Sequence, residues 1–147
     1  MTTIAVNKKQ IAGDLMMTHA NGISFKSTSK IVPIHNPLIY KLPVFVGFCG
    51  DVDTSQRILD FFVDPENWKP PKKMELAEFV ALDVKGRMYT FSDPRKWLPL
   101  NGKFYAIGSG SHFAMGAMHM GATPKQAVEA AIKLDKSSGF GVSVYEV

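Results

Sequence analysis

The order of strand-like and helix-like segments is the feature that most restricts the fold of this 147-residue chain. Short runs of β-branched, aliphatic and aromatic residues dominate its first two thirds. Two helical segments then follow one another directly before a last strand-like run. Strands and helices that are segregated in this way favour layered α+β packing over alternating βαβ units. We therefore predict an α+β fold of one domain spanning residues 1–147, long enough to bury a core.

The strand-like runs are bounded by residues that form turns. They cover residues 2–6, 11–13, 29–35, 38–48, 79–82, 87–91 and 140–145. Pro43 predicts an edge or a bulge in the fourth run, because proline cannot donate to a strand ladder. Asp83-Val84-Lys85-Gly86 predicts a hairpin between the fifth run and the sixth.

Capping signals mark the starts of three helices. Asp53, with Gln56 three residues later, predicts the start of the first helix, which stops before the Asp64-Pro65 pair. Ser111 is predicted to cap the second helix. Thr123 opens a capping box for the third helix, with proline at its first position. The remaining long segment, residues 64–73, has the composition of an irregular surface loop.

Composition excludes several classes of function. The net charge of +4 is spread along the chain, unlike the clustered basic surface of a nucleic-acid-binding protein. No apolar run is long enough to span a bilayer, and the N-terminus lacks the pattern of a signal peptide. Histidine, cysteine and carboxylate residues do not have zinc-ligand spacing. We expect neither nucleic acid nor a membrane as a partner, and no zinc site.

Cys49 is the only cysteine of the chain, so the protein has no internal disulfide. This usage fits a reducing cytoplasm, in a bacterium or in a cell infected by a virus. The apolar strand around Cys49 predicts a small core residue rather than a nucleophile.

Thr2, directly after Met1, is the first candidate for a catalytic residue. Removal of Met1 would leave a hydroxyl and a free α-amine on one residue, which is a nucleophile with its own base. The α-amine has a reference pKa of about 7.7–8.0, and a nearby cation would lower it further. Lys30 is the candidate cation, and Asp14 would hold its ammonium by a charge-assisted hydrogen bond. The alternative interpretation is a buried Asp14–Lys30 ion pair with a purely structural role.

Five segments of this sequence, in the right order, resemble a known family. They are Thr2-Thr3-Ile4 with Ala12-Gly13-Asp14 and Thr18, the spacing from Asp14 to Lys30, Gly47-Phe48-Cys49-Gly50, the run from Ala106 to Ala114, and Asp135 with Ser138-Gly139. Together they resemble the proteasome β-subunit superfamily of N-terminal nucleophile hydrolases. Within it they are most similar to the bacterial HslV-type peptidase.

The resemblance implies a four-layer αββα sandwich, in which helices pack outside two antiparallel sheets. It implies a threonine-type peptidase that cleaves peptides or unfolded proteins inside a self-compartmentalised homo-oligomeric ring. In many relatives an ATP-dependent unfoldase supplies the substrate. It implies no cofactor, and it leaves room for a structural monovalent or divalent cation near residues 135–138.

The resemblance also assigns roles to residues. The catalytic group would comprise Thr2, Asp14, Lys30, Ser109, Asp135 and Ser138, the last three forming hydrogen bonds around the terminal amine. The backbone N–H of Gly50 would stabilise the oxyanion, and Thr18 would pair with an extended substrate as an added strand. Asp51 stands where the family commonly has a second glycine, so an oxyanion site at Gly50 requires this carboxylate to point elsewhere.

Two other functions are compatible with the same residues. One is a non-catalytic scaffold or assembly subunit that keeps the Asp14–Lys30 pair for structure. The other is an amidase of the same fold that acts on a small amide. Without a role in catalysis, Ser109 would belong to an ordinary turn, and Asp135 with Ser138 to an ordinary helix end. A free Thr2 amine distinguishes a hydrolase from a scaffold, and a closed chamber with several sites distinguishes a proteolytic ring from an amidase.

Overall fold

A computed structural model describes residues 2–19 and 21–147. Its strands are β1 (Thr3–Asn7), β2 (Gln10–Asp14), β3 (Met16–Thr18), β4 (Ser24–Lys26), β5 (Ile31–Ile34), β6 (Val44–Gly50), β7 (Ala77–Asp83), β8 (Met88–Phe91), β9 (Leu98–Leu100), β10 (Phe104–Gly108) and β11 (Val142–Glu146). Its α-helices are α1 (Val52–Leu59), α2 (Ser111–His119) and α3 (Pro124–Leu134). Short 3₁₀ turns at Asp60–Phe62 and Met74–Leu76 flank the loop between α1 and β7.

Two antiparallel sheets form the centre of the molecule. The first has the order β10-β1-β2-β11, and the second has the order β5-β6-β7-β8-β9. Strands β3 and β4 form a separate small hairpin. In the first sheet Thr3 lies opposite Gly108, and Ile4 lies opposite Gly13. This register places the start of the chain beside the ends of both β2 and β10.

Side-chain alternation along β1 separates the layers, because successive residues of a strand face opposite sides of the sheet. Ile4 and Val6 pack between the two sheets, together with Ile11, Val80 and Leu82. Ala5 faces the other way, onto the surface where α2 and α3 pack. Its small side chain allows the helices to come close to the sheet.

The outer layers are formed by helices on both sheets. Beyond the first sheet, Ala12 packs with Ala114 of α2 and Val128 of α3. Beyond the second sheet, Ile58 of α1 packs with Phe79 and its neighbours. The predicted four-layer αββα sandwich is therefore confirmed. No helix among the described residues is long and apolar enough to cross a membrane.

Several predicted element boundaries were wrong. The run 38–48 was predicted as one strand, but β6 covers only Val44–Gly50. The segment before it forms a turn, in which the N–H groups of Ile39 and Tyr40 both bond to the Asn36 carbonyl. The last strand begins at Val142 rather than at Phe140, because Phe140 has a left-handed backbone with φ of 61°. The β3–β4 hairpin, the short β9 and the strand β10 were not predicted.

Two of the three predicted helix caps were also wrong. Asp51, not Asp53, caps α1, and its carboxylate accepts a hydrogen bond from the Thr54 N–H. Gly110, not Ser111, precedes α2, and no side chain caps that helix. The capping box of α3 at Thr123 is confirmed. The hairpin between β7 and β8 is likewise confirmed, with Leu82 opposite Met88.

Candidate active site

The carboxylate of Asp14, fully buried at the end of β2, is the centre of the site. It accepts five hydrogen bonds, four of them from residues at least 11 positions away in sequence. At Oδ1 the donors are Thr2 Oγ1, the Thr3 N–H and Lys30 Nζ, each at 3.0 Å. At Oδ2 the donors are the N–H groups of Met16 at 3.2 Å and Gly139 at 3.0 Å. Such a carboxylate is held in one orientation, as a fixed negative charge beside the Thr2 hydroxyl.

Lys30 forms the predicted ion pair with Asp14, and it is itself 2 % exposed. Burial lowers the pKa of Lys30, and its attraction to Asp14 offsets that effect only in part. The Lys30 ammonium and the Thr2 hydroxyl both bond to Asp14 Oδ1, so a buried cation lies close to the first described residue. This is the electrostatic environment that the sequence predicted around an N-terminal amine.

Ser109 and Ser138 meet at Asp135, as the resemblance implied. Both hydroxyls donate to Asp135 Oδ2, each at 2.7 Å. Burial raises the pKa of this carboxyl, but the hydrogen bonds from Ser109, Ser138 and the Ser137 N–H outweigh it, so the pKa of Asp135 lies below its ordinary value. Asp135 is therefore a carboxylate at neutral pH, and it fixes the direction of both hydroxyl groups.

Glycines at the end of β10 allow this second group to approach Thr2. Gly108 has a left-handed backbone with φ of 96°, and a Cβ there would collide with the Thr2 carbonyl oxygen. The Gly110 N–H lies 3.4 Å from that same oxygen, as does Ser109 Oγ. The Gly108-Ser109-Gly110 turn therefore brings Ser109 against the backbone of Thr2.

Gly50, the predicted oxyanion donor, lines a small cavity of about 40 Å³ together with Thr2, Thr18 and Lys30. Its φ of 102° and the nearby Leu76 carbonyl leave no space for a side chain. The Asp51 carboxylate is bound by the Thr54 N–H and hydroxyl at 2.9 and 2.7 Å, and these bonds lower the pKa of Asp51. The Asp51 carboxylate is therefore held by hydrogen bonds at the start of α1. An oxyanion site at Gly50 requires this negative charge to be held in that way. The role of the Gly50 N–H stays a prediction.

Thr18 ends β3 at the rim of the same cavity. Within the described residues β3 pairs with β4 on one side only, with Thr18 opposite Ser24. Its other edge has the geometry that an extended peptide needs for pairing as an added strand. Substrate binding by Thr18 stays a prediction.

A larger cavity lies elsewhere. A depression of about 660 Å³ separates α1 from the loop before β7, with Arg57, Lys72 and Lys73 among its lining residues. Its lining contains neither Asp14 nor Asp135. The hydrogen-bonded cluster around Thr2, rather than cavity size, therefore marks the candidate site.

Cys49 also lines the cavity beside Thr2, but its thiol is not a competing nucleophile. The residue is 8 % exposed, and burial raises the pKa of the Cys49 thiol to about 12. Because the thiolate is the reactive form, we expect Cys49 to resist iodoacetamide in neutral buffer and to react only after unfolding in urea. Intact mass before and after unfolding checks this expectation. Rapid alkylation of the native protein would contradict it.

Four solved structures are similar to the whole of this fold. Thiobacillus denitrificans BPH matches with a TM-score of 0.73 at 17 % identity, over 99 % of this chain and 96 % of that one. Its complex with epoxomicin gives 0.70 at 16 %, over 99 % and 97 %. Eukaryotic HslV from Trypanosoma brucei gives 0.71 at 18 %, over 98 % of each chain. The Anbu complex from Pseudomonas aeruginosa, a helical assembly, gives 0.72 at 8 %, over 99 % and 80 %.

The fold is that of the proteasome-like N-terminal nucleophile hydrolases. No family model matches the sequence, and no curated protein matches it either. At identities below one fifth, the structural likeness establishes the proteasome-like fold and leaves the activity to be argued from the site.

Sequence reasoning found the Asp14–Lys30 pair and the Ser109–Asp135–Ser138 group, and the structure brings both beside Thr2. It missed the N–H donors of Met16 and Gly139, because backbone groups leave no signal in residue types. Among the described residues no group of three or more histidine, cysteine or carboxylate side chains could hold a metal ion. The expected absence of a cofactor, and the cation near residues 135–138, stay predictions. Removal of Met1 concerns a residue outside those described.

Proposed function

We propose that this protein is a threonine-type peptidase of the HslV kind, with Thr2 as its nucleophile after removal of Met1. The observation that supports it most is the sharing of Asp14 Oδ1 by the Thr2 hydroxyl and the Lys30 ammonium, each at 3.0 Å. This sharing places the buried cation beside the residue that would carry both the nucleophile and its amine. A solved complex of a similar fold with epoxomicin adds support.

In the proposed mechanism, Thr2 Oγ attacks the carbonyl carbon of the substrate, and the free α-amine takes the hydroxyl proton. Lys30 disfavours protonation of that amine beforehand, because it is a like charge nearby. The Gly50 N–H stabilises the oxyanion of the tetrahedral intermediate. When the C–N bond breaks, the leaving amine takes the proton from the α-ammonium. A water then attacks the acyl ester and gives a proton to the α-amine. When the ester C–O bond breaks, the leaving Thr2 Oγ takes that proton back from the α-ammonium and the product acid is released.

Asp14 and Asp135 position these groups without changing their own charge. Asp14 holds Lys30 and the Thr2 hydroxyl, and four of its five donors remain available to it during the reaction. Asp135 directs the protons of Ser109 and Ser138 to itself, which leaves their lone pairs for the terminal amine.

The proposal includes a homo-oligomeric enclosure around several such sites. A peptidase that acts on unfolded chains has to be kept away from newly made proteins, so confinement has a clear purpose. The P. aeruginosa Anbu complex, of similar fold, forms a helical assembly. Peptides or unfolded proteins are the proposed substrates, and an ATP-dependent unfoldase is a proposed partner.

An intact-mass measurement with a peptide epoxyketone tests the proposal. This reagent needs both a threonine hydroxyl and its free α-amine to form a ring adduct. We expect a protein that lacks the mass of Met1 and gains the mass of one inhibitor per chain. A protein that retains Met1 and gains nothing would contradict the peptidase and favour the non-catalytic subunit.

A further inference from the structure

Thr3 is a fully buried residue whose hydroxyl belongs to the second half of the site. Its Oγ1 lies 2.7 Å from the Oγ of Ser138, which is 5 % exposed. Ser138 in turn donates to Asp135 Oδ2 at 2.7 Å. A buried chain of hydroxyls therefore runs from the residue after the nucleophile to Asp135.

The number of hydroxyl protons decides which group donates in each of these hydrogen bonds. A hydroxyl has one O–H donor and two acceptor lone pairs. Ser138 uses its proton on Asp135, so Thr3 must be the donor in the contact between Thr3 and Ser138. Ser138 Oγ then has one lone pair left and no proton, and it acts toward a further neighbour only as an acceptor.

Thr3 also joins the two halves of the site. Its N–H donates to Asp14 Oδ1 at 3.0 Å, while its hydroxyl binds Ser138. The absence of a side chain at Gly110 makes room for that hydroxyl, because a Cβ there would collide with Thr3 Oγ1 and lie 3.2 Å from Asp135 Oδ2. One buried residue therefore connects the Asp14–Lys30 pair to the Ser109–Asp135–Ser138 group.

We propose that Thr3 is a positioning residue for the reaction at Thr2, whose hydroxyl holds Ser138 as a fixed acceptor for the α-ammonium of Thr2. The inference rests on the proposed function, since it concerns the base of that reaction. If Thr3 had only a structural role, it would stabilise the fold and leave the pKa of the Thr2 α-amine unchanged. The two roles differ in their effect on the pH dependence of turnover.

Thr3→Val tests the proposal, since it removes the hydroxyl and keeps the size and branching of the side chain. The readout is steady-state hydrolysis of a fluorogenic peptide, normalised to sites titrated with the epoxyketone. We expect kcat to fall by roughly five- to tenfold, the effect of one lost hydrogen bond, with little change in KM. An acceptor fixed toward an ammonium raises the pKa of the amine, so the acid limb of kcat/KM shifts to lower pH in the variant.

Two further variants serve as controls. Thr3→Ser keeps the hydroxyl, and we expect its kcat and pH profile to match those of the wild type. Thr3→Cys keeps a weaker donor of similar size, so we expect a smaller shift of the acid limb of kcat/KM in the same direction. If Thr3→Val does not fold, Thr3→Cys provides the test. A double-mutant cycle with Ser138→Ala adds a check, because Thr3→Val has no further effect once Ser138 is gone.

The outcomes separate this proposal from the proposed function. If the wild type hydrolyses the peptide and Thr3→Val or Thr3→Cys has the same kcat and pH profile, the proposed role of Thr3 is wrong. The proposed function is not affected by that result. Wild-type protein that neither hydrolyses the peptide nor forms the epoxyketone adduct overturns both proposals.

Discussion

Thr2→Ala is expected to abolish hydrolysis and adduct formation while leaving the fold intact. Removal of a nucleophile typically costs orders of magnitude in kcat, so we expect a loss of more than about 10³-fold. The Asp14 carboxylate keeps four other donors in this variant. Loss of one hydrogen bond should therefore lower the free energy of unfolding by only about 1 kcal/mol. Peptide hydrolysis, intact mass with the epoxyketone and urea denaturation measure the three effects.

Thr2→Ser is the matched control for this experiment. Serine retains a hydroxyl and an α-amine, so adduct formation should persist at a reduced rate. If Thr2→Ala turns over substrate at the wild-type rate, Thr2 is not the nucleophile. If the alanine variant fails to fold, the buried threonine has a structural role that its contacts do not predict.

Lys30→Met is expected to lower both activity and stability. Methionine replaces the stem of the lysine but leaves the buried Asp14 carboxylate without its cation. Breaking a buried ion pair from one side typically costs about 3–5 kcal/mol. We expect a value near the lower end, because four hydrogen bonds to Asp14 remain. Activity falls in addition, since the amine loses the cation that keeps it unprotonated.

The double variant Lys30→Met with Asp14→Asn separates the two effects. A neutral amide needs no cation, so part of the lost stability should return in urea denaturation. Activity should not return, because neither the cation nor the fixed carboxylate is present. Unchanged melting and unchanged epoxyketone labelling of Lys30→Met would show that the pair contributes to neither property. A loss of stability with full activity would support a structural pair.

The candidate catalytic residues could be predicted from the sequence more reliably than the boundaries of the strands and helices. Asp14 and Lys30 could be paired in advance because their spacing agreed with a known family, and charged residues in apolar strands demand partners. The start of β6 could not be predicted, because residues 38–43 are as apolar as a strand but fold into a turn at Asn36. Local composition does not reveal which apolar residues pack beside a turn.

The starts of the helices and the contact made by Thr3 show a second limit of prediction from sequence. Asp51 and Asp53 are both good caps by residue type, and only the path of the chain out of β6 decides that Asp51 bonds to Thr54. Thr3 has the β-branched side chain of an ordinary strand residue, so its sequence position gives no sign of a contact with Ser138. That contact spans 135 residues and arises from sheet register and the α3 terminus together.

The five donors around Asp14 have a consequence for synthesis. The Gly139 N–H reaches Asp14 across 125 residues of sequence, while Thr2, Thr3, Met16 and Lys30 are all made early. A chain still on the ribosome has Thr2 but not the segment around Gly139 that completes the surroundings of Asp14. Under the proposed function, hydrolytic competence is therefore expected only after that late segment has docked.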